Sequence, residues 1–319
     1  MNKIILVLAL FVAVSATMVR NDADMFKFMK FVKQHNKEYS SFEELGKRFA
    51  IFRENLSKVD NTETFSPFMD VTEEEFKTRR NLDAASLAAA RSKMTRYTPK
   101  LSLTDLPASY DAREHGLVSH VKDQGQCGSC WAFSAVANLE GQQAKKAGKI
   151  TTLSEQQLVD CDDVDQGCNG GLMDNAFEFL IKEGGIESDS DYPYTARDGS
   201  CRFNKSKVVA QVKDFKDISQ NEDEIAAVLV ENGPLSVAVN ANPFQFYSGG
   251  ILKPTKRSCN PAELDHGVTL VGFGEEGGVK YWIIKNSWGQ SWGEDGYIRL
   301  QRGTGACGVN TNVSTAHLQ

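Results

Sequence analysis

Along the first hundred residues, apolar positions recur at three- and four-residue spacing, the period that gathers them on one face of a helix. Phe28, Phe31 and Val32 mark one stripe. Leu45, Phe49, Phe52, Leu56 and Val59 mark a second, with Glu44 and Arg48 at ion-pair spacing. Residues 82–100 are small, polar and basic, without strand or core signals, and predict an exposed linker of the kind proteases nick. Beyond Leu106 the texture changes to glycine-rich turns and cysteines, with strand patterns at 235–239, 268–273 and 281–284. One strong helix is predicted there. It starts near Ser129 and Cys130, runs through Trp131, Ala135, Val136 and Leu139, and ends at Lys145, Lys146 and Gly148, where cations and glycine suit a helix end. The pattern therefore divides a helical leader from a mixed α and β body, with no internal repeat.

The start of the chain adds a compartment. Lys3 precedes an apolar run at 4–14, and small residues follow at Ser15, Ala16 and Thr17, which reads as a signal peptide cut near Ala16 or Thr17. The run is far short of the roughly twenty residues that span a bilayer, and no other stretch is long and apolar enough to cross one. At 319 residues the chain has length for one large core plus accessory sequence. Its net charge of -6, with no long Lys or Arg run, gives no electrostatic footprint for nucleic acid.

Secretion makes the cysteines informative, because thiols pair two at a time in oxidising compartments. There are seven, so three bridges leave one thiol free. Cys130 in the run Gln124-Gly125-Gln126-Cys127-Gly128-Ser129-Cys130-Trp131 falls at the amino end of the predicted helix, where unpaired N–H groups and the helix dipole favour a thiolate. The preceding glycines permit a sharp turn and close approach of a substrate backbone. Cys127 and Cys130 also have the spacing of a redox pair or of half a zinc site. The first wants a strand before it and the second a further close Cys or His pair; neither is evident.

A nucleophilic cysteine needs a base. Of His115, His120, His266 and His317, His266 opens an apolar strand after Leu264 and Asp265, whereas His115 and His120 lie in a polar loop. A histidine so placed is by itself more often a packing residue, and the context of Cys130 reverses that weighting. Asn286 follows another strand in Lys285-Asn286-Ser287-Trp288-Gly289-Gln290-Ser291-Trp292-Gly293. Its side-chain oxygen can orient an imidazole, and the tryptophans can exclude water or simply fill a core.

Taken together, these motifs resemble the papain-like cysteine proteases of the cathepsin L-like subgroup over nearly the whole chain after the signal. The resemblance implies an α+β, two-lobed fold, a helical lobe plus a β-barrel-like lobe, preceded by a helical inhibitory propeptide. It implies a signal peptide at 1–17, a propeptide at 18–105 and a peptidase domain at 106–319. Cys130 is then the nucleophile, His266 its imidazolium partner, Asn286 the orienting group and Gln124 a side-chain donor to the oxyanion. The implied disulfides are Cys127 with Cys168, Cys161 with Cys201, and Cys259 with Cys307. Gly170, Gly171, Leu172 and Met173 resemble the strip that binds an extended peptide. Ala238, Leu264 and Gly267 complete an apolar pocket for the residue two before the cut, P2, with Asn312 at its base. Asn312 also opens a glycosylation sequon with Val313 and Ser314, but Asn204, in the separate sequon Asn204-Lys205-Ser206, is the better glycan acceptor.

In the leader, Glu44, Arg48, Phe52, Asn55 and Val59, then Phe68 and Asp70, fit the family's inhibitory helix and the segment after it. Glu63, Thr64 and Ser66 depart from that pattern, and Ala112 stands in place of its usual tryptophan. The resemblance implies no metal and no organic cofactor. Its partners are protein and peptide substrates and the chain's own propeptide, and the enzyme is expected to be a monomer in a lysosome-like vesicle or outside the cell. The short stretch between Cys127 and Cys168 leaves little room for a cleft-blocking insertion, which favours endopeptidase action. Two rival classes are a binding protein that keeps the fold without catalysis, and a disulfide or zinc protein.

Overall fold

The computed structural model describes residues 22–59, 63–83 and 96–319. The signal expected at 1–17 and most of the 82–100 stretch lie outside these residues. The chain forms two compact units, divided between Thr72 and Glu73.

The first unit holds helices α1 (Asp22–Gln34) and α2 (Phe42–Leu56). Ser41 caps α2 by accepting from Glu44 N–H, while the Glu44 carboxylate accepts from Ser40 N–H, so two amino-end donors are satisfied reciprocally. Phe28, Phe31, Phe52 and Phe65 are buried against one another, with neighbouring ring centroids 5.1–6.4 Å apart. The segment after α2 is tied back by polar bonds. Asn55 Nδ2 donates to the carbonyls of Met69 and Val71 at 3.1 and 3.0 Å, and Asp70 accepts from Lys37 and Tyr39.

The second unit begins with the short helix α3 (Glu73–Lys77) and strand β1 (Tyr110–Asp111), then α4 (Cys130–Ala147), α5 (Glu155–Cys161) and α6 (Met173–Glu183). A small pair, β2 (Ile186–Glu187) and β3 (Val208–Ala210), precedes β4 (Val212–Asp217) and helix α7 (Glu222–Asn232). Then come β5 (Leu235–Val239), β6 (Ile251–Leu252), β7 (His266–Glu276), β8 (Val279–Lys285), β9 (Tyr297–Gln301) and β10 (Val313–Leu318). The large sheet runs β4-β10-β5-β7-β8-β9-β6, with β1 also on β7. Its pairings are antiparallel except β6 with β9.

Strand β5 and the first nine residues of β7 are buried throughout, Ser236 and Thr269 included, so these strands are covered on both faces and no solvent-facing polar alternation marks them. Helix α4 packs against β7 on one side and against α5 and α6 on the other, so its amino end falls where helices meet sheet. It ends as the lysines and glycine predict: Gly148 adopts φ 72° and donates to the Ala144 carbonyl. Ala112 is fully buried against Val271 and Ile283, where small volume suffices beside β7.

Among the described residues of 82–100, Arg96, Thr98 and Lys100 are exposed as predicted for a linker, and Leu82 and Tyr97 depart from it. Leu82 is buried, Tyr97 N–H pairs with the Asp217 carbonyl at 2.7 Å, and Tyr97 Oη donates to Glu231. A single leucine and a single tyrosine anchor this polar stretch, too few for any periodic signal to register.

Candidate active site

Disulfides join Cys127 to Cys168, Cys161 to Cys201, and Cys259 to Cys307, and Cys130 is the remaining thiol. No cluster of three or more His, Cys, Asp or Glu with metal-holding geometry occurs among the described residues. Cys130 is the first residue of α4, and the backbone N–H groups of Gly267, Asn81 and Trp131 bond its sulfur. Gly267 presses on the Cys130 carbonyl so closely that a Cβ there would lie 3.1 Å from the oxygen. The start of β7 is thereby set against the start of α4.

His266, fully buried, opens β7, and its Nε2 lies 2.8 Å from Asn286 Oδ1. Ser287 N–H donates to the same Oδ1, which fixes that atom as the acceptor and makes His266 Nε2 the donor. Nδ1 has no partner among the described residues and is the nitrogen free to take a proton. The Trp288 indole stacks on the imidazole at 4.6 Å, shielding the bond to Asn286 from water. His115 and His120 lie exposed elsewhere, and His317 pairs with Asp214.

Gln124 is fully buried and held from both ends. Its Oε1 accepts from Ser287 Oγ and Trp288 Nε1, and its Nε2 donates to the carbonyls of Cys127 and Arg79 at 2.8 and 3.0 Å. Tyr194 adds support that the sequence did not signal: its hydroxyl donates to the Gln124 carbonyl and bonds Ser129 Oγ beside the thiol.

The groove between α4 and β7 is filled by residues 79–83. Arg79 donates to the Gly125 carbonyl, and Arg80 forms an ion pair with Asp265 at 2.7 Å and bonds Asn242. Asn81 rests on Gly128 and Gly170, where no larger residue fits: a Cβ would fall 2.7 Å from the Asn81 Cβ and carbonyl oxygen respectively. Leu82 bridges Gly171 in parallel, donates to the Asp265 carbonyl, and joins the buried apolar cluster that includes Leu172, Met173, Ala238 and Leu264. Asn312 is buried beside them, its carbonyl accepting from Ala238 N–H at 3.1 Å and its Nδ2 without a partner among the described residues.

This closure sets the charge state. Burial pushes the Cys130 thiol up to about 11, against the lowering by its three backbone donors, and pushes the His266 imidazole down to about 3. In the closed groove burial thus works against the charged forms of both groups, opposing the thiolate–imidazolium pair that the sequence resemblance implies.

Residues 106–317 match the Papain family cysteine protease profile, and residues 28–76 match the Cathepsin propeptide inhibitor domain (I29). The chain belongs to the papain family of cysteine proteases. It carries the propeptide of a zymogen in the same polypeptide. Cysteine proteinase 15A of Pisum sativum is 46% identical over 90% of the chain and 85% of its own length. Cathepsin F of Mus musculus is 42% identical over 91% of the chain and 64% of its own. Among solved structures, digestive procathepsin L 3 of the Tenebrio molitor larval midgut matches with a TM-score of 0.80 and 38% identity, covering 92% of this chain and 99% of that one. The precursor of stem bromelain matches with a TM-score of 0.82 and 33% identity over 93% and 100%.

Proposed function

We propose that this papain-family zymogen is a secreted endopeptidase, monomeric and active in an acidic vesicle or outside the cell, in which Cys130 attacks the scissile carbonyl. Residues 1–17 are its signal, 18–105 its propeptide and 106–319 its peptidase domain. The observation that carries the reading is the donation of Gln124 Nε2 to a backbone carbonyl beside a free thiol at a helix amino end.

Once residues 79–83 leave, water returns to the groove and the desolvation that opposes the charged forms of Cys130 and His266 falls away. The proton on sulfur passes to the bare His266 Nδ1, while Asn286 holds the other ring nitrogen. The thiolate adds to the scissile carbonyl carbon, and the developing oxyanion takes the Gln124 amide together with the Cys130 backbone N–H. Imidazolium returns its proton to the leaving amine, and water then hydrolyses the thioester with the same imidazole as base.

Gly170, Gly171, Leu172 and Met173 line the strip for the substrate backbone. The site now filled by Leu82, among Leu172, Met173, Ala238, Leu264 and Gly267, takes an apolar P2 side chain. Asn312 Nδ2 offers a donor to a polar P2 group. In the precursor the sulfur of Cys130 meets the Asn81 N–H, a donor, where the substrate's scissile carbonyl is to sit. The carbonyl on Gln124 belongs to Arg79, two residues away.

The test is acidification of the purified precursor under mild reduction, with sequencing of the new amino terminus and profiling of a peptide library. Loss of cleavage in Cys130→Ser and enrichment of Leu, Phe or Val at P2 are expected. Undiminished cleavage by Cys130→Ser overturns the mechanism.

A further inference from the structure

Beneath the strip at 170–173 lies an acidic pair, Asp162 buried and Asp165 half-buried, that the mechanism above does not use. Asp162 and Asp165 sit in the loop between α5 and the Cys168 disulfide. Asp165 Oδ1 accepts from Leu172 N–H at 3.1 Å and from Asn175 Nδ2 at 2.9 Å, so one carboxyl oxygen ties the loop to the strip and to α6. Asp162 Oδ1 accepts from the N–H groups of Val164 and Asp165 at 3.0 and 3.4 Å. The Oδ2 atoms of both residues are buried and receive no N–H or O–H donor among the described residues, yet the two side chains lie within hydrogen-bonding reach of each other. Two bare carboxylate oxygens do not stay together in a dry site, because like charges at contact repel. One proton between them removes the conflict.

Gly171 is wedged between this pair and α4. A Cβ on it would lie 2.6 Å from the Asp165 carboxyl carbon and 2.6 Å from the Trp131 ring. The Asp165 carboxyl thus stands close against Gly171, and its bond from Leu172 N–H couples its position to the strip. We propose that Asp162 and Asp165 share one proton and that this shared proton holds residues 170–173 in position for substrate, making Asp165 a positioning residue for peptide binding. The proposal rests on the reading of that strip as the substrate site.

The surroundings oppose loss of the proton. Asp163 is the charged neighbour on the same loop, and Asp198 approaches from the loop against Gly167, where it accepts from Cys168 N–H. Helix α4 contributes the neutral Trp131, and α6 contributes the neutral Asn175 with Asp174 before it. The amino end of α6 favours a carboxylate, but burial first, and Asp162 second, push Asp165 up to about 8. When the proton goes to solvent, two facing carboxylates push the loop apart and the strip loses its tie.

The test uses the processed enzyme and a peptide substrate with Leu at P2, with kcat and KM measured from pH 5 to 8.5. In wild type, KM rises about tenfold across the upper part of this range as the tie is lost. In Asp165→Asn the amide keeps the acceptor for Leu172 and donates to Asp162 at every pH, so KM stays flat. Asp162→Asn, the second variant, gives the same flat profile should Asp165→Asn fail to fold. A KM that rises alike in wild type and variants overturns the proposal, as does a flat KM in wild type. Infrared difference spectra of the Cys130→Ser precursor read the proton without activity. A protonated carboxyl that titrates near pH 8, absent in the Cys130→Ser/Asp165→Asn precursor, supports the shared proton, and its absence overturns it. Failure of wild type to cleave any peptide counts against the peptidase reading alone, and the spectra still decide the proton.

Discussion

Gln124 Nε2 donates to the Arg79 carbonyl oxygen at 3.0 Å, so the side chain proposed to receive the oxyanion already carries a backbone carbonyl in the precursor. The amide is fixed by three further bonds, to the Cys127 carbonyl, Ser287 Oγ and Trp288 Nε1. A donor held this way needs no reorganisation when negative charge develops, which is the condition for strong transition-state stabilisation.

Truncating that donor tests its weight. Gln124→Ala in the processed enzyme is expected to lower kcat by about 10²–10³-fold, the range for loss of one oxyanion donor, with a much smaller change in KM. Steady-state kinetics on a short peptide measure both. A kcat within about twofold of wild type removes Gln124 from the mechanism.

The burial of Cys130 predicts a change in thiol reactivity on activation. In the intact precursor the thiol, pushed up to about 11, resists iodoacetamide at neutral pH. After removal of residues 79–83 it is alkylated rapidly at pH 5–6, because desolvation no longer opposes the helix amino end and the imidazolium. Leu82→Asp, which puts a charge into the apolar cluster, speeds labelling of the precursor without proteolysis. Mass spectrometry of the tryptic peptide containing Cys130 follows the reaction, and equal rates before and after processing contradict this account.

What was legible in the sequence follows the reach of each signal. Helix α4 was readable because its start at Cys130 and its end at Gly148 are marked by local chemistry and an apolar period between them. Strand β5 was readable because burial on both faces leaves it apolar at every position but Ser236. The proximity of Gln124 to Ser287 and Trp288, and of Tyr194 to Ser129, is set by tertiary packing across the groove and leaves no periodic trace. The same holds for Leu82, whose place in the apolar cluster contradicts the polar character of its neighbours. The upward push on Cys130 and the downward push on His266 were also beyond reach, since both depend on burial under residues 79–83, a segment distant in sequence from each.

Orientation of the imidazole gives a separate prediction. Asn286→Ala removes the acceptor at 2.8 Å from His266 Nε2 and exposes the ring to tautomer exchange and rotation. A fall in kcat of roughly one to two orders of magnitude is expected, smaller than for loss of His266 itself because the Trp288 stack still restrains the ring. Trp288→Ala added to Asn286→Ala then costs more than Trp288→Ala alone. A double-mutant cycle on kcat shows whether the two groups act on the same ring, and strict additivity denies it.

Buried charge away from the thiol predicts how stability responds to pH. Lys122 lies between two fully buried carboxylates, 2.8 Å from Glu140 and 2.6 Å from Glu155, with Lys285 reaching the same cluster through Ser119. Removing the central cation leaves two carboxylates without their shared partner, so Lys122→Met is expected to destabilise the processed enzyme by about 3–5 kcal/mol. Burial first, and Glu140 after the opposing pull of Lys122, push Glu155 up to about 7. Its folded pKa lies above its unfolded value. Its contribution to stability is therefore complete below about pH 4.5 and is lost as pH rises through about 7. Lys285, pushed down to about 8 chiefly by burial, stays protonated in both states across most of that window and adds little slope there. Urea denaturation of a Cys130→Ser enzyme at pH 5, 6 and 7 should show stability falling with pH, and Glu155→Gln should flatten the fall. A wild-type profile that rises over this interval excludes Glu155 as the titrating group, because no other sign is compatible with a carboxyl protonated on folding.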